Sequence, residues 1–240
     1  MTKQEEIEVA PGFFVERRSV LLGICGFLAT AWPNEGRSAA LSYEEFLAKA
    51  NPLAQSLIPD KTRAGQDHYL RSLAAIAANL NDAPVPAQWN ETNQGDTPES
   101  YQIGFNPGGS PFTVLQWRLE PGARCRPHAH TYGNVLTVGL EGVARVSNYE
   151  VVGTADYGSD KTFKVRQTMD QLLRPGSVNL VSLYRNNIHG LVAGPDGARG
   201  LDITTRIRPK PEHGTPFLDI GSSPLRRFER IFEASWVYYD

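Results

Sequence analysis

Gly122-Ala123-Arg124-Cys125-Arg126-Pro127-His128-Ala129-His130-Thr131-Tyr132-Gly133-Asn134-Val135-Leu136-Thr137-Val138 is the stretch that decides how this chain is read. Its second part, Asn134–Val138, predicts a strand. Its first part places two histidines two residues apart. On a strand, residues i and i+2 project from one face. His128 and His130 therefore point together, with Cα atoms about 6.6 Å apart along the strand. Two imidazoles so placed can lean onto one ion at about 2.0–2.1 Å. Asn134 shares their parity if the strand runs on unbroken.

A further histidine, His189, stands in Asn186-Asn187-Ile188-His189-Gly190, and the remaining two are His68 and His213. Imidazole is the commonest metal ligand. His128, His130 and His189 thus point to a metal site and an enzyme; the alternative is a structural pair on a barrel strand. His189 has to come from a neighbouring strand, and a barrel interior brings such strands together while partly excluding water. His213 sits in a loop. His68, on a helix edge, reads as a surface or packing residue.

Strands extend on both sides of the opening stretch. Phe112–Leu119 reads as one, ended by Glu120-Pro121-Gly122. Asn134–Val138 turns near Gly139 and Gly142 into Val143–Val146. Val178–Tyr184 and Gly200–Thr205 follow. Short strands with Gly- and Pro-marked turns and no long helix between them predict an antiparallel sandwich or barrel. Residues 42–81 read as helical, opened by a capping box over Ser42-Tyr43-Glu44-Glu45. Tyr69, Leu70, Leu73, Ile76, Ala77 and Leu80 recur at helical spacing, and Pro52 and Pro59 divide the region into two or three short helices. The tail Arg226–Asp240 is helix-prone at first, through Arg227–Arg230, then ends in aromatics expected to dock on the body.

The chain has 240 residues, a formal net charge of −2, 40% apolar and 21% charged residues. Those values suit one packed domain with an added N-terminal segment. With no basic tract and no zinc-finger spacing, nucleic acid is not an expected partner. The two cysteines, Cys25 and Cys125, lack CxxC spacing, which argues against a thiolate zinc site. Cys125 is left as a core residue, a reactive group or an intermolecular partner.

Residues 1–40 read as an export signal. Arg17 and Arg18 stand before the uncharged run Ser19–Trp32, which is shorter than the roughly 20 apolar residues of a membrane span. Ala29-Thr30-Ala31 offers a cleavage site, and Ser38-Ala39-Ala40 a weaker one. Glu16-Arg17-Arg18-Ser19-Val20-Leu21-Leu22 resembles the bacterial twin-arginine signal. That resemblance implies the twin-arginine export machinery as a partner, cleavage after Ala31 or Ala40, and a periplasmic or secreted protein without a stable membrane anchor. The alternative is a membrane-anchoring or buried N-terminal helix.

Gly122-(x5)-His128-x-His130-(x3)-Asn134 resembles the first motif of the cupin superfamily, a likeness that covers residues 112–207. It implies an all-β fold, the cupin double-stranded β-helix or jelly-roll barrel, with a short helical N-terminal segment. The expected organisation is a signal segment at 1–40, a helical segment at 41–90, a barrel at 91–222 and a docked tail at 223–240. In most cupins a glutamate stands where this chain has Asn134, Gly142 falls one residue late, and His189 lies far from Pro175-Gly176. Asn187-Ile188-His189 followed by Leu201-Asp202-Ile203 is similar to the cysteamine dioxygenase and plant cysteine oxidase branch of the three-histidine thiol dioxygenases. That branch implies Fe(II), O₂ and a small thiol substrate, with Asp202 as a polar group behind the metal. Zn, Mn or Ni on the same scaffold would instead mark a lyase, isomerase or hydrolase, and a binding protein without catalysis is a third class. The branch's P-P-Y segment and the Ser-x-His-x-Tyr arrangement of cysteine dioxygenase are missing. Cys125 precedes the histidine pair, so no cysteine–tyrosine crosslink is expected.

Three neutral imidazoles leave the full charge on an ion, which favours an anionic chelating substrate and keeps positions open. Arg118 and Arg206 are candidates to anchor a substrate carboxylate, or else solvated strand residues. Tyr184 and Tyr132 are candidate donors near the metal, or else packing residues.

Overall fold

The structure, a computed structural model, describes residues 6–10, 13–16, 40–92, 100–108, 111–156, 159–209 and 215–237. The chain divides into two compact units, Met1–Ala39 and Ala40–Asp240. In the first, β1 (Glu6–Ala10) pairs antiparallel with β2 (Phe13–Glu16). The arginine pair, the apolar run with Cys25, the first cleavage site and His213 lie outside the described residues. Among the described residues, no helix is long and apolar enough to cross a membrane.

The second unit opens with two helices, α1 (Tyr43–Leu57) and α2 (Arg63–Ala77). The capping box is present: Glu45 N–H donates to Ser42 Oγ at 3.2 Å and Ser42 N–H donates to Glu45 Oε2 at 2.8 Å. One expectation fails here. Pro52 does not break the first helix, which runs through it and stops at Ile58, before Pro59. A proline costs a helix about 3 kcal/mol, but Phe46, Ala50 and Ala54 on the opposite face are fully buried. That burial, at about 1.5–3 kcal/mol for a large apolar side chain, holds the helix together. His68 is exposed on α2.

The rest is a mostly β structure of antiparallel strands: β3 (Asn90–Glu91), β4 (Tyr101–Asn106), β5 (Thr113–Leu119), β6 (Arg124–Ala129), β7 (Gly133–Val152), β8 (Phe163–Leu173), β9 (Val178–Val181), β10 (Ile188–Arg206), β11 (Phe217–Ile220) and β12 (Ile231–Val237). The order is β3-β4-β5-β10-β6-β11-β12-β8-β7-β9, and an additional β10–β7 pairing closes the barrel. A closed barrel of antiparallel strands behind a short helical segment is the architecture expected from the sequence. Leu136, Val138, Leu201 and Ile203 present one face of β7 and β10 to the helices. Trp117, Leu119, Cys125, Val146 and Leu191 form a second cluster, inside the barrel.

Gly139 and Gly142 do not form a turn. β7 continues unbroken through them for 20 residues, paired along most of its length with β10. The glycines instead absorb a bend, where the register slips between Ala193/Ala198 and between Arg199/Gly200, the signature of β-bulges. Gly142 has φ +62°, and a Cβ there would lie 2.2 Å from the Gly197 carbonyl oxygen. Gly142→Ala is expected to lower stability by at least about 1–3 kcal/mol, read as a fall in the urea midpoint; an unchanged midpoint would show that the corner does not depend on this glycine.

The tail also departs from expectation. Arg226–Arg230 is a turn rather than a helix, and Ile231–Val237 is a strand between β11 and β8. Five helix-prone residues are too few to nucleate a helix, whereas Ile231, Ala234 and Trp236 are buried in the strand.

Candidate metal centre

β6 and β10 bring the histidines together. His128 lies directly opposite His189, but the next pairs are Leu191 with Cys125 and Val192 with Arg124. Two steps along β10 thus correspond to three along β6, a bulge at Arg126-Pro127. Proline is suited to a bulge because it has no N–H to leave unpaired. The extra residue resets the alternation, so Cys125 and His128 face the interior although they are three apart. It also turns the Arg126 carbonyl onto His128 Nδ1, at 2.9 Å. That carbonyl accepts only a proton-bearing Nδ1, which leaves the Nε2 lone pair for a ligand.

His130 follows the last residue of β6, and its backbone N–H donates to the Asn187 carbonyl at 2.8 Å. His189 Nε2 then lies 3.0 Å from His130 Nε2 and 3.2 Å from His128 Nε2. The three side chains are 9%, 0% and 5% exposed for His130, His189 and His128. Among the described residues they form the one group of three or more His, Cys, Asp or Glu side chains placed to hold an ion.

The donor set fits a transition metal. With bonds of about 2.05 Å, nitrogen separations of 3.0 and 3.2 Å subtend about 94° and about 103°, between octahedral and tetrahedral values. Burial lowers the His128 pKa to about 4, and lowers His130 and His189 well below their ordinary values, with help from neighbouring histidines. All three are therefore neutral near pH 7, the form that ligates.

His189 is held from behind by an amide pair. Asn148 Nδ2 donates to Asn179 Oδ1 at 2.8 Å, Asn179 Nδ2 donates back at 3.2 Å, and Asn179 Nδ2 stands 3.5 Å from His189 Nδ1. Amide oxygen and nitrogen exchange places on a half-turn. Turning both amides together keeps the pair intact and offers Asn179 Oδ1 to a His189 Nδ1–H, which is the tautomer that ligation through Nε2 needs.

Asn134 does not share the face of His128 and His130. The chain bends at Thr131-Tyr132 before β7 begins, so the parity does not carry across. Asn134 lies on the side of Leu136 and Val138, towards the helices. Its Nδ2 donates to Gln66 Oε1 at 2.6 Å, and its Oδ1 accepts from Leu183 N–H at 3.2 Å. It ties α2 to the barrel and has no ligand role. Asn134→Leu is expected to cost about 2–4 kcal/mol, because two buried partners lose their bonds, while metal stoichiometry by elemental analysis stays at the wild-type value.

The other sequence candidates divide. Asp202 is inside the barrel, buried, opposite Thr137 and Leu115. Tyr184 is not brought to the histidines: it is exposed, and its hydroxyl donates to the Lys61 carbonyl at 2.5 Å. Arg118 is not brought there either. It is exposed, stacks on Trp89 with its guanidinium carbon 4.5 Å from the ring centroid, and bonds Gln102. The reason is parity, since Arg118 shares a face with Val114, which packs under the helices. Arg206 is exposed, and the Tyr132 carbonyl accepts from Ile207 and Arg208. Cys125 is buried, its Sγ 3.6 Å from His128 Nδ1, and burial raises its pKa, keeping the thiol protonated.

Sequence reasoning missed Arg126, Asn148 and Asn179. The first acts through a backbone carbonyl, which no side-chain motif marks. Asn179, a lone amide within Val178-Asn179-Leu180-Val181, was the readable signal: a polar residue at an inward position needs a partner.

No protein-family model matches the chain, and no curated protein matches it. Solved structures do. KdgF from Halomonas sp. is 16% identical, over 50% of this chain and 87% of that one, with a TM-score of 0.37. A recombinant oxalate oxidase in complex with glycolate is 18% identical over 57% and 62%, with a TM-score of 0.38. The Cnp3 cupin domain of Schizosaccharomyces pombe is 12% identical over 45% and 65%, with a TM-score of 0.33. This chain therefore spans less than two thirds of the latter two.

Proposed function

We propose that this chain is an exported non-haem iron dioxygenase of the three-histidine type, oxidising a small thiol or similar chelating substrate with O₂. The observation that carries the reading is the convergence of the buried His128, His130 and His189 side chains, Nε2 to Nε2, without a carboxylate in the group. Fe(II) bound there would supply the activation of O₂ and the attraction for a thiolate. The chain's residues do the rest. The three imidazoles hold the ion without offsetting its charge, the Arg126 carbonyl fixes the His128 tautomer, and the Asn148–Asn179 pair fixes His189. Asp202 sits in the same interior as a group able to hold or release a proton near neutrality. Tyr184 and Arg118, which stand away from the cluster, take no step. Support for the thiol comes from the Asn187-Ile188-His189 setting, and support for twin-arginine export from Arg17-Arg18.

The test is metal analysis of the native protein together with O₂ uptake on a panel of thiols. Iron with thiol-dependent uptake is expected. Zinc with no uptake for any thiol would replace the reading by Lewis-acid chemistry on the same barrel. Export is tested separately: Arg17→Lys with Arg18→Lys should leave unprocessed precursor in the cytoplasm, and unchanged periplasmic protein would rule the route out.

A further inference from the structure

The sheet that carries the histidines has a second face. On β7, Asn148 lies opposite His189 and Ser147 opposite Gly190, so Arg145, Ser147 and Tyr149 point away from the metal centre. Behind this face β11, β12 and β8 curl round, because β11 pairs with both β6 and β12. A cleft of about 640 Å³ lies inside the curl. That volume is in the range of small-molecule sites, about 300–1,000 Å³.

The cleft is apolar at its base and cationic at its rim. Tyr149 and Phe232 stand edge to face, ring centroids 6.5 Å apart, beside Leu218 and Ile220. Four arginines line it, Arg124, Arg126, Arg145 and Arg230, against two aspartates, Asp170 and Asp219. The charges are fixed in place. Arg145 forks onto Asp170, with Nε donating to Oδ1 at 2.7 Å and Nη2 to Oδ2 at 2.5 Å, and Arg230 Nη2 reaches the same Oδ2 at 3.3 Å. Arg230 reaches it from a left-handed backbone, φ 52°, and strained residues of this kind cluster at binding sites. One carboxylate thus serves two guanidiniums, which leaves that group with one positive charge in excess, while Arg126 pairs with Asp219.

We infer that this cleft is a second binding site, for a small organic anion whose carboxylate or phosphate meets Arg145 and Arg230 while an apolar or aromatic body lies on Tyr149 and Phe232. A guanidinium offers the planar fork that such anions need, and the apolar base rewards a body that inorganic anions lack. This site stands back to back with the metal centre and does not depend on the reaction proposed there.

Calorimetric titration of the full chain with phenylacetate, phenylacetamide and inorganic phosphate tests it, before and after chelation of metal. Phenylacetate is expected to saturate, with affinity at least about tenfold above both other probes and unchanged by chelation. Arg145→Gln with Arg230→Gln should weaken it at least about tenfold. Val192→Trp, filling the cleft from a half-exposed position without touching a charge, should do the same. Equal affinity for the amide or for phosphate would overturn the assignment, as would binding that survives both variants. Binding lost on chelation would place the probe at the metal and overturn it too.

Discussion

Replacing His189 with alanine is expected to abolish the stabilisation of this protein by divalent transition metals. His189 is the shared vertex of the cluster, its Nε2 lying 3.0 Å from one partner and 3.2 Å from the other. A ligand that binds only the folded chain stabilises it by RT ln(1 + [L]/Kd), about 2.7 kcal/mol at a hundredfold excess over Kd. For a domain of this size each kcal/mol moves Tm by about 2–4 °C, so iron or zinc should raise the wild-type Tm by about 5–10 °C. In His189→Ala the rise should vanish. Asn179→Ala gives the internal comparison. It removes only the group behind the ligand, a loss usually felt as about 10–100-fold in affinity. Its Tm rise should therefore shrink and return at higher metal concentration. If His189→Ala keeps the full rise, the three nitrogens are not the binding site. Differential scanning fluorimetry across a metal titration decides both.

The same residues show what a single sequence makes legible. The fold class followed from alternation and turn chemistry, both of which act over a few residues. The three ligands followed because imidazole is rare and specific. The parity expected for Asn134 held only along an unbroken strand, and nothing local marks the bend at Thr131-Tyr132 that interrupts it. The bulge at Arg126-Pro127 was hidden for a similar reason, since an extra residue in one strand is defined only by its partner, 60 residues away. Arg118 was left between a substrate anchor and a solvated strand residue because nothing in β5 tells which side the helices will cover. Gly142 looked like a turn, for a positive φ is needed at a strand corner as well as at a hairpin. In each case the missing information was the pairing rather than the local preference.

Asp202 gives the second large effect, and its sign is unusual for a carboxylate. Burial raises its pKa from 3.8 to about 6, against the opposing pull of the Thr137 hydroxyl and the Trp117 indole N–H. Neither donor closes a hydrogen bond: among the described residues, Asp202 Oδ1, Thr137 Oγ1 and Trp117 Nε1 are buried without a partner. Desolvation therefore outweighs solvation by the protein. A folded pKa above the unfolded one means that folding favours the protonated form. This favourable contribution is complete below about pH 4, is lost as pH rises through about 6, and leaves a constant penalty above that. Two pKa units correspond to about 3 kcal/mol. Asp202→Asn has no charge to bury, so it should exceed the wild type in stability by about 2–3 kcal/mol at pH 8, with the gap closing between pH 6 and pH 4. Urea unfolding with metal chelated removes the metal's contribution, and the histidines' own titration in this window is common to wild type and variant and cancels in the difference. A gap that stays constant across that window would mean that Asp202 is not strained by its charge. Under the proposed function, that penalty at neutral pH, which an asparagine of the same shape would avoid, is offset by the use of the carboxylate in the reaction. Asp202→Asn should accordingly combine higher stability with lower turnover in the oxygen-uptake assay.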